Sequence, residues 1–529
     1  MSDTNLNYGD LFDALAQAIP DRTALIYGDT RYTWREFDAR SNRLARWLIS
    51  AGLKPDSKVA FYLRNSPAYV ELLSACFKAR LVHVNINYRY VDQELLHVID
   101  NSDAEVVVYD APFIEHIETL RPKLGKVTTW LEVGENPAAD FAESFETACS
   151  NGDPSPLDIQ RAGTDLYFMY TGGTTGYPKA VMWQHQDRIT VIGMSDAQDA
   201  ASHARKVAES ESGLVCLPAC PLMHSTGFTS TVSTLVGGGT LVLLPSQNFD
   251  PEECLVEIGR HRINRMAIVG DAFSVPILET LRAPSKQYDL SSVELISSAG
   301  AMWSEPCKRG LLEYFPNATL SDSLGSSEGS RLGGSVMTHD SESAVTAVFT
   351  LGPHTKIFTE DFREVTPGSD EAGMIATSGA IPLGYYKDVE RTEKTFPTIN
   401  GVRYSMAGDW CKLAADGTMI LLGRGNNCIN TGGEKVYPEE VEEALKTLPE
   451  VMDAAVLGVP DPRWGQAVAA LIITRDNVIL NETEIREHLN PILARYKHPR
   501  HTKFVDGGIR HENGKMNYRA VKRIYEGLS

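Results

Sequence analysis

The chain has 529 residues, 43% hydrophobic and 22% charged, and its 69 Asp and Glu against 50 Lys and Arg leave a formal net charge of −19. That length exceeds one ordinary core and predicts two or more domains, while the composition is that of a soluble globular protein rather than a disordered one. The acidic balance, relieved by no basic run, argues against nucleic-acid partners and anionic membrane surfaces.

Apolar residues at helical spacing predict a helix over Thr33–Leu53, ended by Gly52. Val59–Leu63 reads as a short buried strand, followed by a helix near Ala68–Ala79, a strand near Glu105–Tyr109 and a helix near Pro112–Leu120. The run N-G-D-P-S-P from Asn151 reads as a surface connection. Further strands are expected near Leu214–Leu217, Thr240–Leu244, Met266–Val269 and Leu295–Ser298, with helical segments between several of them. Strands alternating with helices predict an α/β fold with parallel sheets covered on both faces. A hairpin-like stretch, KLAADGTMILLG, leads into G-R-G-N-N from Gly423. Beyond it, Pro438–Leu448 reads as a helix with acidic residues in its first turn, and Val451–Val459 and Ala467–Ile473 as strands. A boundary near residue 425 therefore divides the chain into residues 1–425 and 426–529.

No run of about 18 apolar residues offers a membrane span. The N-terminal MSDTNLNYGDLFDAL lacks a basic segment followed by an apolar one, and the final YEGLS is not a peroxisomal tripeptide. The eight cysteines are scattered as free thiols would be, so the expected location is cytoplasmic. Cys216, Cys220 and His224 fit no common zinc spacing, and Pro218 and Pro221 keep a helix from aligning them.

Between Tyr170 and Ala180 the chain reads Y-T-G-G-T-T-G-Y-P-K-A. Glycines let a backbone approach phosphate closely, exposed amides and Thr hydroxyls form an anion-binding concavity, and Lys179 adds a positive charge. The common nucleotide-triphosphatase loop sets glycine immediately before its lysine; here Tyr177 and Pro178 intervene between Gly176 and Lys179. An ordinary strand-to-helix turn is the plain alternative. Gly325-Ser326-Ser327-Glu328-Gly329 matches the hydrolase pattern G-x-S-x-G, which would make Ser327 a nucleophile served by one of several downstream histidines. A hydrolase gives no reason for the phosphate-type loop.

Taken with the rest of the chain, Y-T-G-G-T-T-G-Y-P-K resembles the phosphate loop of the adenylate-forming superfamily, which includes acyl-CoA synthetases, luciferases and peptide-synthetase adenylation domains. Further elements follow in that family's order: P-L-M-H from Pro221, A-G-A-M from Ala299, L-G-S-S-E from Leu324, G-A-I-P-L-G-Y-Y from Gly379, Gly408-Asp409, Gly423-Arg424 and Asn513-Gly514-Lys515. The resemblance spans nearly the whole chain. It implies a large N-terminal domain of α/β layers and a small mobile α+β C-terminal domain that carries the catalytic lysine. It also implies two half-reactions, in which a carboxylate attacks the α-phosphorus of ATP and a thiol then displaces AMP.

By the same resemblance Thr171, Gly172, Gly173, Thr174, Thr175, Gly176 and Lys179 hold the phosphates of ATP. Gly300, Ala301 and Ser327 contact the nucleotide, Asp409 takes the ribose hydroxyls, and Arg424 reaches the ribose or phosphates. Glu328 holds Mg2+, Lys515 stabilises the charge developing in adenylation, and these two with Thr171 form the expected catalytic set. The acyl pocket is expected from His224, Ser225, Phe228, Val269, Gly270 and Gly325, the CoA-side loop from Thr431, Gly432 and Gly433, and the hinge at Asn426. Leu324 stands where the family commonly has a stacking tyrosine, and Asn426 and Asn427 replace the usual acidic hinge residues. Ser225 and Thr226 follow His224, so no carboxylate awaits a substrate amine. Asp271, inside an apolar run, reads as a hydrogen-bonded structural residue. The hinge sequence resembles bacterial synthetases for fatty acids and steroid side-chain acids. The expected partners are therefore a hydrophobic carboxylic acid, ATP and CoA, with Mg2+ as the metal; a carrier protein as acyl acceptor and a homodimer stay open.

Overall fold

The structure is a computed structural model, which describes residues 5–90, 92–134, 139–171, 177–194, 197–210, 213–283, 286–341, 348–424, 429–431, 434–461, 465–475, 478, 480–493, 495–511 and 514–527. Three sheets organise them. In the first, Thr23–Tyr27, Thr240–Leu243, Val215–Pro218, Arg265–Ile268, Leu295–Ala299 and Thr319–Ser326 lie side by side in parallel. Antiparallel strands including Ser330–Met337, Val348–Leu351, Thr418–Arg424 and Asp409–Leu413 extend it. In the second, Val82–Asn85, Lys58–Tyr62, Ala104–Asp110 and Thr129–Val133 run parallel, and Leu166–Thr171 joins antiparallel Lys179–Gln184. In the third, Val451–Asp461 pairs antiparallel with Gly465–Thr474.

Strand periodicity sorts the second sheet's residues into two cores. Val59 and Phe61 face the cluster that also holds Leu25, Leu241 and Leu243 of the first sheet, whereas Ala60 and Tyr62 face the opposite side. Helices Tyr8–Ala18, Trp34–Ser50, Pro67–Lys78 and Ser225–Val236 fill the layer between the two sheets. Pro251–His261, Asp271–Arg282 and Glu305–Tyr314 cover the far face of the first sheet. The α/β architecture expected from alternation is present, with helices shared between two sheets.

Local chemistry explains the ends of these elements. Thr33 caps its helix through a capping box with Glu36, and the helix stops at Ser50, ahead of Gly52 at φ +100°. The expected helix over Pro112–Leu120 is instead a 3-10 turn, Ala111–Phe113, followed by helix Ile114–Leu120. Gly417, at φ +84°, turns the expected hairpin between Asp409–Leu413 and Thr418–Arg424. Among the described residues no helix is long and apolar enough to cross a membrane.

The helix layer also buries charge. Lys78 is 0% exposed; its ammonium pairs with Asp13 at 2.7 Å and with Asp38, and donates to Asn42 Oδ1 at 2.8 Å. Arg161 reaches Asp10 and Asp13, each at 2.8 Å. His185, 1% exposed, lies edge-on to Phe77 with ring centroids 4.5 Å apart, and burial pushes its pKa down to about 3.

Two outcomes follow from this layer. Lys78→Ala leaves Asp38 without its cation and Asp13 with Arg161 alone, and should destabilise the domain by about 3–5 kcal/mol, read from urea unfolding. An unchanged unfolding midpoint would contradict the pairing. For His185, the unfolded ring titrates near 6.5 and the folded one near 3, so between these values the unfolded chain binds the extra proton and stability falls as pH drops. His185→Leu should reduce that slope by up to about 1.4 kcal/mol per pH unit, measured by comparing urea unfolding of variant and wild type at pH 4, 5 and 7.

Candidate active site

Parallel strands present their carboxyl ends to one crevice, the usual place for ligands in such sheets. Here the ends of Arg265–Ile268, Leu295–Ala299 and Thr319–Ser326 meet the first turn of helix Ser225–Val236. Gly270, at φ +53°, turns the first of these strands into helix Asp271–Arg282; a Cβ there would lie 2.1 Å from the carbonyl oxygen of Met302. The loop through Gly300 and Ala301 thus packs directly on this turn. Thr226 Oγ1 donates to the carbonyl of Ala299 at 3.1 Å, which ties the helix to the same loop.

At the end of Thr319–Ser326, long-range bonds hold the expected nucleotide residues. Ser327 shares a 2.9 Å hydroxyl–hydroxyl bond with Ser225, and its carbonyl accepts from Trp183 Nε1 at 2.9 Å. Tyr385 donates its hydroxyl to Glu328 Oε1 at 2.8 Å, and Ser405 Oγ donates to the Glu328 carbonyl at 2.7 Å. One oxygen of the Glu328 carboxylate is thus oriented by Tyr385, and among the described residues the other has no hydrogen-bond partner, a donor that fits a hard cation such as Mg2+. The glycine–tyrosine segment near Tyr385 thus acts by aiming Glu328.

This geometry disfavours the hydrolase reading. A nucleophile elbow joins a strand to a helix, but Ser327 lies in a turn between antiparallel strands Thr319–Ser326 and Ser330–Met337. Among the described residues its hydroxyl partner is Ser225, not a histidine. Of the zinc-like trio, Cys216 Sγ sits 3.3 Å from Ser230 Oγ.

Asp409 and Arg424 are cross-strand partners, with Gly408 at φ +94° leading into Asp409. Thr171 and Lys179 pair across the mouth of the glycine-rich loop; Gly172, Gly173, Thr174, Thr175 and Gly176 lie outside the described residues, as do Asn426, Gly432 and Gly433. Thr431, 4% exposed, pairs with Glu434. Phe228, expected in the acyl pocket, is 1% exposed, and its ring stacks on Tyr167 with centroids 4.9 Å apart.

The C-terminal part reaches the same crevice. Gly514, at φ +78°, is buried with its Cβ position 2.5 Å from Ala272 Cβ, so the loop carrying Lys515 packs on the first turn of helix Asp271–Arg282. Among the described residues, His224 Nε2 is buried without a hydrogen-bond partner. Burial, then the positive charges of Lys515 and Arg89, push the His224 pKa down to about 3, so the ring is neutral near pH 7. Arg89 was not foreseen, because nothing in Y-R-Y from Tyr88 marks it; chain folding alone sets it beside His224 and His511. Asp271 is hydrogen-bonded as expected, with its Oδ1 accepting from Ser304 N at 2.9 Å and Ser304 Oγ at 3.1 Å.

Comparison with known proteins agrees with this arrangement. The model of the AMP-binding enzyme family matches residues 12–386, and that of the AMP-binding enzyme C-terminal domain matches residues 440–515. A medium/long-chain-fatty-acid--CoA/3-oxocholest-4-en-26-oate--CoA ligase of Mycolicibacterium smegmatis is 38% identical over 98% of this chain and 97% of that protein. A 3-oxocholest-4-en-26-oate--CoA ligase of Rhodococcus rhodochrous is 37% identical over 98% and 95%. Among solved structures, the anthranilate CoA ligase AuaEII in complex with anthranoyl-AMP is similar with a TM-score of 0.86 at 21% identity, over 99% of this chain and 98% of that one. ATP-bound MatB from Rhodopseudomonas palustris reaches 0.81 at 24% identity, over 98% and 99%. The motifs, the folded crevice and matches along almost the full length agree, and the chain belongs to the AMP-binding enzyme family.

Proposed function

We propose that this protein is an AMP-forming acyl-CoA synthetase. It joins a hydrophobic carboxylic acid, a medium- or long-chain fatty acid or a steroid side-chain acid, to CoA through an acyl-adenylate. The observation that carries this reading is the convergence of Ser327, Glu328, His224 and the Lys515 loop on one crevice. The relatives' names supply the substrate class.

Adenylation brings two anions together, so charge must be neutralised and the attack held in line. Thr171, Lys179 and the loop between them hold the phosphates, and Asp409 accepts from the ribose hydroxyls with Arg424 beside it on the neighbouring strand. Gly300 and Ala301 border the adenine side. Glu328, kept aimed by Tyr385, would hold Mg2+, which would supply positive charge to the triphosphate. Lys515, carried on the buried Gly514, meets the carboxylate and α-phosphate beside His224. A neutral His224 adds no charge of its own, which suits a group lining the path of an apolar acid.

The walls of the crevice support an apolar and bulky acid. Along helix Ser225–Val236, Thr226, Ser230 and Ser233 remain partly exposed, and Leu295, Ser297 and Ala299 do so on the facing strand. These side chains are mostly small. Thr226, Ser233 and Ser297 turn their hydroxyls onto backbone carbonyls at 3.1, 3.2 and 3.3 Å, so these donors are already engaged within the protein. A cytoplasmic location fits the described cysteines, all of them buried free thiols.

The test is a panel of acids with ATP, Mg2+ and CoA, read for pyrophosphate and for thioester by mass spectrometry. Release of both with fatty or steroid acids is expected. Thioester formed only on a carrier protein would shift the acceptor, and ester cleavage without ATP would overturn the reading. Lys515→Ala should reduce pyrophosphate release by about 10²-fold or more, the scale of losing a group that stabilises transition-state charge. The same variant should still convert supplied acyl-adenylate and CoA to thioester; equal loss of both steps in a folded variant would remove Lys515 from the adenylation role.

A further inference from the structure

The loop carrying Lys515 is held at both ends by charge. Arg510 donates from Nη1 to the Gly514 carbonyl at 3.0 Å and, from Nε and Nη2, to Asp453 at 2.5 and 2.8 Å. One guanidinium thereby pins the loop to strand Val451–Asp461. Lys446, at the end of helix Pro438–Lys446, pairs with Glu443 at 2.5 Å, and its side chain is 9% exposed. Both cations belong to the C-terminal domain. Across from them, Ala272 touches the Gly514 position, and the residue before it is Asp271.

Electrostatics links the two sides. Burial opposes the charge on Lys446, but Glu443 and then Asp271 outweigh it and hold the ammonium above its ordinary pKa. Burial likewise opposes the Arg510 guanidinium, while its bonds to Asp453 and the charge of Asp271 keep it charged. Glu443 stands against this attraction, because Asp271 disfavours its ionised form; burial pushes its pKa up in the same sense. Burial also raises Glu442, to about 8, so that group is largely uncharged near pH 7. Asp271 therefore lies within electrostatic reach of Lys446 and Arg510, and Arg510 bonds the carbonyl of Gly514, which packs on the neighbouring Ala272.

We propose that Asp271 of the large domain, acting on Lys446 and Arg510 of the C-terminal domain, is a positioning residue that docks the Lys515 loop on the crevice for acyl-adenylate formation. The inference rests on the synthetase reading. Asp271 reaches the reaction only through where it holds Lys515, so its charge matters to the step that uses Lys515. A thiol-transfer step that needs the C-terminal domain turned away gains nothing from this contact.

Asp271→Asn keeps an amide oxygen for the Ser304 bonds and removes only the charge. In the full-length enzyme, single-turnover pyrophosphate release should fall about tenfold, a shift of roughly 1.4 kcal/mol in the docked population. Thioester formation from supplied acyl-adenylate and CoA should be unchanged or faster. Asp271→Glu should recover most of the first rate, and Lys446→Met combined with Asp271→Asn should cost less than the product of the single effects. Pyrophosphate release at the wild-type rate in Asp271→Asn overturns the proposal. So does an equal fall in both half-reactions with wild-type thermal unfolding, which would mark Asp271 as a general support of the crevice. A wild-type enzyme that releases no pyrophosphate with any acid would instead refute the synthetase reading itself.

Discussion

A single layer of helices packed between two sheets is the constraint on which the rest depends. Because Trp34–Ser50, Pro67–Lys78 and Ser225–Val236 bury residues against both sheets, neither sheet can shift without reopening the shared core. That rigidity sets the N-terminus of helix Ser225–Val236 against the carboxyl ends of the first sheet. It also requires the buried ions around Lys78 and Arg161 to be paired within the layer, since charges removed from water are tolerated only with partners. The crevice exists because two sheets share one set of helices.

At the crevice, few direct bonds join functional groups to each other. Most of the ordering is done by neighbours: Tyr385 and Ser405 orient Glu328, Trp183 and Ser225 hold Ser327, and Thr226 ties the helix to the Ala299 carbonyl. Such support matters because electrostatic stabilisation works only when donors and charges are in place before the reaction begins. Glycines allow the close approaches. Gly270 admits the Met302 carbonyl, Gly514 admits Ala272, and Gly423, at φ +104°, admits the Glu439 carboxylate against the strand that ends at Arg424.

The C-terminal domain meets the crevice where Gly514 packs on Ala272, next to Asp271, whose charge acts on Lys446 and Arg510. Its hydrophobic clusters close on themselves, around Val441, Leu445, Val456 and Ile472 on one side of its sheet and Leu471 and Val521 on the other. A domain with its own core and a polar junction can dock and leave without losing its fold. This is the physical condition that two half-reactions at one site would need.

Some of this was legible in the residues alone. Glycine-rich, acidic and lysine-bearing segments announce local backbone demands and local chemistry, so a phosphate-type loop, Asp409, Glu328 and Lys515 could be singled out as candidates from contiguous motifs. Alternation of apolar runs likewise marked strands such as Leu295–Ala299, because burial on a pleated surface repeats every two residues. What joins these pieces could not be read that way. Tyr385 meets Glu328 across 57 residues, Ser225 meets Ser327 across 102, and Trp183 meets Ser327 across 144. Arg89 acts on His224 through its charge without any motif to mark it, and Phe228, expected in the acyl pocket, stacks on Tyr167. Periodicity tells a residue which face it occupies, but only the packing of sheets and helices decides what lies opposite that face.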